Sequence, residues 1–173
     1  FISIIKYNSI QKELLLNDDY RLKDLNNVQR IFYPLNESTK FNINKSFRKY
    51  TRNKKKELKK ITTKGRDFII DDFYDGIARF KFNDLCKKNI GAEDYINIAK
   101  VSDHISIEEV PIFKEENSNQ QLRFITLIDI LYEKKINLTL SLASDLKLLG
   151  SSKKNSEVFK RTISRLFEMT KIR

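Results

Sequence analysis

The chain has 173 residues, with 40% hydrophobic and 33% charged side chains, so it is long enough to bury a core and too apolar to be disordered throughout. Its single cysteine, Cys86, and single histidine, His104, exclude an internal disulfide and any zinc site built from several Cys or His side chains, and fit a reducing compartment. The formal charge is +11, and no apolar run approaches the roughly 20 residues that cross a bilayer.

In chain order, Phe1, Ile4 and Ile5 suit the end of a helix, and Glu13 to Leu16 reads as a short buried strand stopped by Asn17-Asp18-Asp19. Ile31-Phe32-Tyr33 is a brief extended run ended by Pro34, after which Asn36 or Ser38 can cap a helix through Phe41, Phe47 and Tyr50. That helix is expected to fray into a lysine-rich helix or loop over 45–66. Asp67 to Ile70 and Ile77 to Phe82 predict a strand pair, with Asp75-Gly76 supplying the turn. Short helices follow at Phe82 to Cys86 and from Gly91-Ala92 onward. Ile105, Ile107 and Val110 then read as a strand, Leu122 to Tyr132 as an amphipathic helix, and Ile136, Leu138 and Leu140 as a second strand. Strand, helix, strand is the order of a parallel crossover. A last helix, Glu157 to Met169, carries Arg161 and Arg165 four residues apart, on one face. The expected fold is mixed α/β, with an α+β segment over 1–100 and the crossover unit with its terminal helix over 101–173.

The charge is local. Between Lys45 and Arg66 eleven cations face one acid, Glu57, which accounts for nearly all of the excess. Such a block attracts phosphate backbones or anionic lipid, while its simplest reading is a solvated face. Its centre is Lys54, Lys55, Lys56, Lys59 and Lys60.

Little in the sequence suggests catalysis. The four glycines, Gly65, Gly76, Gly91 and Gly150, are too scattered for G-x-x-x-x-G-K-S/T or G-x-G-x-x-G. His104 lacks a nucleophile partner and reads as an exposed or hydrogen-bonded loop residue, while Cys86 behind Phe82 and Leu85 reads as a packed small hydrophobe. The carboxylate pairs Asp71-Asp72, Glu108-Glu109 and Glu115-Glu116 have no second ligand cluster, so no metal site and no catalytic acid are expected. Arginine remains, because its planar fork suits phosphate oxygens. Arg123, Arg161 and Arg165 are the candidates for phosphate contact. On spacing alone they serve equally to tie helices together through Asp129, Glu133 or Glu168.

Five strings occur in order: NDDYR at Asn17 to Arg21, Gly65-Arg66 with GIARFKFNDLC at Gly76 to Cys86, GAEDY at Gly91 to Tyr95, RFITLIDILYE at Arg123 to Glu133, and FKRTISRLFEM at Phe159 to Met169. Together they resemble the C-terminal half of the ZapE and AFG-one-like family of P-loop ATPases of AAA+ type. The resemblance implies that Phe1-Ile2-Ser3 is a junction following a sensor strand, and that the chain is a piece of a longer product. It implies ATP and Mg²⁺ bound mainly by a preceding half with the Walker segments, hence no ATP hydrolysis by this piece alone. It also implies bacterial cell division, or mitochondrial protein quality control in eukaryotic relatives. Division-ring or inner-membrane proteins, a second copy of the chain and peripheral membrane contact are the implied partners, in the cytoplasm or at the inner membrane. The alternative is a stand-alone module, either for protein interaction or for nucleic acid bound through Lys45 to Arg66 with Phe41, Phe47 and Tyr50 stacking; nucleic acid ranks last.

Overall fold

The computed structural model describes residues 29–171. The helix end at Phe1 to Ile5 and the strand at Glu13 to Leu16 lie outside the described residues. The elements are β1 (Ile31–Phe32), α1 (Glu37–Thr51), β2 (Glu57–Thr63), β3 (Arg66–Tyr74), β4 (Ile77–Lys81), α2 (Phe82–Cys86), α3 (Ala92–Lys100), β5 (His104–Val110), α4 (Ser118–Glu133), β6 (Asn137–Leu142) and α5 (Ser156–Thr170). They build one six-stranded mixed sheet in the order β1-β6-β5-β4-β3-β2.

The crossover forms as its alternation requires. β5 and β6 are parallel neighbours with Ile105 opposite Leu138 and Ile107 opposite Leu140, and α4 connects them. β4 lies parallel to β5 on the other side, so the sheet runs without a break across residue 100. β3 and β4 form the expected hairpin. Its turn places Asp75 and Gly76 at φ 42° and 80°, the double positive φ of a type I′ turn. A Cβ on Gly76 would push the Asp103 carboxylate aside, and the positive φ is what calls for glycine there.

Alternation separates two faces of unlike chemistry. Ala78, Phe80, Ile105, Ile107, Leu138 and Leu140 join the apolar sides of α2 to α5 in the main core. From α4 the core takes Phe124, Leu127, Ile128 and Leu131, each fully buried, and each such side chain contributes about 1.5–3 kcal/mol of transfer free energy. Phe113 sits centrally in a cluster with Phe82, Phe124 and Phe159, at ring-centre distances of 5.8, 5.6 and 5.2 Å.

The opposite face is polar and is covered by α1. Arg79 donates to Asn44 Oδ1 at 2.6 Å, pairs with Glu108 at 2.6 Å and lies over the Phe47 ring. His104, Ser106, Thr139 and Ser141 are buried on neighbouring positions of the same face. α1 begins where expected: Asn36 accepts a hydrogen bond from the Thr39 amide at 2.8 Å, satisfying one of the free first-turn donors.

The lysine block departs from the helix or loop expected over 45–66. α1 stops at Thr51, and Glu57–Thr63 is an antiparallel edge strand on β3. Lysine has low strand propensity, but cross-strand partners offset it: Lys60 meets Asp67 at 2.7 Å, and Lys56 pairs with Asp72.

Candidate functional site

α4 and α5 pack side by side, and two arginines of α5 reach one carboxylate of α4. Arg161 donates to Asp129 Oδ2 at 2.7 Å, and Arg165 donates to Oδ1 of the same group. Four-residue spacing on α5 puts both guanidinium groups over one point of its neighbour, and Asp129 is the acid at that level. The two arginines differ in setting. The Arg165 side chain is 19% exposed, with its guanidinium 4.8 Å from the centre of the Tyr132 ring, whereas that of Arg161 is 56% exposed. Tyr132 in turn donates its hydroxyl to Glu168 at 2.7 Å, and this bond to a carboxylate raises the phenol pKa above its ordinary value. Asp129 and Glu168 balance the two guanidinium groups, with Arg165 half-buried between Asp129 and Tyr132 and Arg161 exposed to solvent on the other oxygen of Asp129.

Arg123 does not join them. It lies six residues before Asp129 on α4, about 9 Å along the axis and on a different side of the helix. Its guanidinium donates to the carbonyls of Lys88 at 2.6 Å and Cys86 at 3.3 Å, closing the C-terminal end of α2. Beside it a cleft of about 510 Å³ is lined by Lys64, Arg66 and the start of α3. There Lys64 meets Glu93 at 2.6 Å and Arg66 meets Asp94 at 3.4 Å, while Arg123 is held by carbonyls alone.

The remaining groups singled out in the sequence are structural. Cys86 is a buried free thiol whose pKa burial pushes up to about 12, the unreactive form of a cysteine. His104 is buried in β5 rather than lying in a loop, with its Nε2 3.0 Å from the Thr139 hydroxyl. Burial, with a smaller contribution from the charge of Arg30, drives its pKa down to about 3. Among the described residues no three His, Cys, Asp or Glu side chains converge as a metal site. Also among the described residues, no helix is long and apolar enough to cross a membrane. Of the proposed stacking aromatics, Phe47 is buried and Tyr50 packs on His104 with ring centres 4.1 Å apart, leaving Phe41 exposed.

Sequence reasoning missed the Arg79–Glu108 pair. Its signal was the alternation His104-Ile-Ser-Ile-Glu108, in which polar residues recur on one face of a central strand.

A six-stranded mixed sheet, parallel through β1, β6, β5 and β4 and flanked by helices, is a mixed α/β architecture of the P-loop NTPase-like kind. The model of the AFG1-like ATPase family matches residues 11–173, and the chain belongs to that family. Lactation elevated protein 1 homolog B of Danio rerio is 27% identical over 143 residues, covering 81% of this chain and 28% of the relative. Cell division protein ZapE of Escherichia coli K12 is 24% identical over 151 residues, covering 87% of this chain and 40% of the relative. The chain therefore spans less than half the length of these curated relatives. No solved structure matches it.

Proposed function

We propose that the chain acts as the C-terminal part of an ATP-hydrolysing P-loop ATPase of AAA+ type in the cytoplasm, serving cell division as the name of the Escherichia coli relative suggests. The family match over residues 11–173 carries this reading. ATP and Mg²⁺ are bound mainly by sequence preceding Phe1, which supplies the Walker segments that this chain lacks, and this chain alone does not hydrolyse ATP. Arg161, exposed and steadied through Asp129, contacts phosphate, while Arg165 positions it and Arg123 supports the end of α2. A guanidinium held in advance of the reaction stabilises charge on a transferring phosphoryl group without reorganising.

The test is steady-state ATP turnover by the protein with its preceding sequence, compared with Arg161→Ala and Arg165→Ala. The expected result is a loss in kcat of at least about 10²-fold for Arg161→Ala with unchanged melting temperature. ATP hydrolysis by residues 1–173 alone, abolished by the same substitutions, would place catalysis in this chain and overturn the proposal.

A further inference from the structure

The cations of the lysine block look alike in the sequence, and the tertiary structure divides them. On the hairpin side, Lys54 meets Asp75 at 3.4 Å, Lys56 pairs with Asp72, Lys60 with Asp67, Lys64 with Glu93 and Arg66 with Asp94. Lys59 lies over the Phe73 ring, and Lys55, between the two groups, is exposed and meets no carboxylate among the described residues. Lys45, Arg48, Lys49 and Arg52 are exposed and meet no carboxylate among the described residues. They fall at i, i+3, i+4 and i+7, with Phe41 one turn before Lys45 and 67% exposed.

At 100° per residue Phe41, Lys45, Arg48 and Lys49 occupy about 100° of the circumference of α1, and Arg52 follows as the residue at its C-terminal cap. Thr39, Ile43, Ser46 and Phe47, which pack inward, occupy the opposite side. The cations run about 10 Å along the helix. Tyr33 and Leu35, on the loop entering α1, are 47% and 42% exposed, and the Tyr33 hydroxyl is held by Asp145.

We propose that this outer face of α1 docks on an anionic lipid membrane, with the four cations over the headgroups and Phe41 entering the interface. The observations favour lipid over nucleic acid because the cations line a convex ridge rather than a groove, and Phe47 and Tyr50, which would have stacked bases, are turned inward. A ridge of charge with exposed apolar groups at one end meets a plane. The proposal stands independently of ATP hydrolysis.

The experiment is co-sedimentation of the protein with vesicles of phosphatidylcholine containing about one third phosphatidylglycerol, at low and at physiological salt. Each cation contributes about fivefold to partitioning. Lys45→Gln/Arg48→Gln/Lys49→Gln/Arg52→Gln should therefore lower the partition coefficient by about 10²–10³-fold, and Phe41→Ser should lower it several-fold. The charge-balanced control Lys56→Gln/Asp72→Asn should leave it within twofold. Circular dichroism melts establish that each variant is folded. Pure phosphatidylcholine vesicles should not retain the protein. Vesicle binding unchanged in the quadruple variant, or absent while a single-stranded oligonucleotide binds at the same salt, would overturn the assignment.

Discussion

Replacing Asp129 by asparagine tests whether one carboxylate joins α4 to α5. The substitution keeps the shape and removes the charge beneath Arg161 and Arg165. The side chain of Asp129 is 25% exposed and that of Arg165 is 19% exposed, so this pair is partly shielded from water and is worth about 1–2 kcal/mol. The Arg161 side chain is 56% exposed, so its pair is screened by solvent and adds about 0.5 kcal/mol or less. The expected total is about 1–2.5 kcal/mol, which for a domain of this size lowers Tm by about 2–10 °C. A double-mutant cycle apportions it: Asp129→Asn with Arg165→Met should couple by about 1–2 kcal/mol, and with Arg161→Met by no more than about 0.5 kcal/mol. Urea unfolding of the four species in each cycle supplies the values. Equal coupling to both arginines, or Tm unchanged by Asp129→Asn, would refute the assignment of Arg165 as the support and Arg161 as the presented group.

Truncating Phe113 to alanine empties the centre of the four-phenylalanine cluster and should cost about 3–5 kcal/mol, read as the shift in urea midpoint at constant slope. His104 has a folded pKa near 3, below its unfolded value, so the unfolded state binds its proton first as pH falls. Its contribution should be level above about pH 7.5 and should cost about 2 kcal/mol of stability between pH 7 and pH 5. In His104→Gln that part of the acid dependence should vanish, and an unchanged pH profile would contradict a buried neutral imidazole. Cys86, buried and with its pKa raised, should react with a thiol reagent at pH 8 at least about 10²-fold more slowly in the native protein than in urea. Labelling of the native protein at the unfolded rate would contradict its burial.

Local pattern was enough for much of this chain. The spacing Phe124, Leu127, Ile128, Leu131 specified α4, alternation at Ile105-Ile107 and Leu138-Leu140 specified two strands of a parallel crossover, Asn36 or Ser38 marked the start of α1, and Asp75-Gly76 gave the hairpin turn. These features were legible because each depends on residues a few positions apart: helical period, strand period, side-chain capping and the φ that a turn allows. The strings shared with the AFG1-like ATPase family were legible for the same reason, being local runs of residues.

Tertiary structure decided what depends on partners distant in sequence. The stretch Glu57–Thr63 looked like helix or loop because lysines disfavour strands, and became a strand because β3 offered a ladder and opposing acids. His104 reads as a loop residue in the sequence and is buried because β5 places it between Thr139 and Tyr50, 35 and 54 positions away along the chain. Arg123, Arg161 and Arg165 had equal claims by residue type, and only packing put the last two on Asp129 and turned Arg123 to the end of α2. Residue type sets what a charge is able to do, but its free energy is set by which groups the fold brings within a few ångströms and how far it excludes water from them.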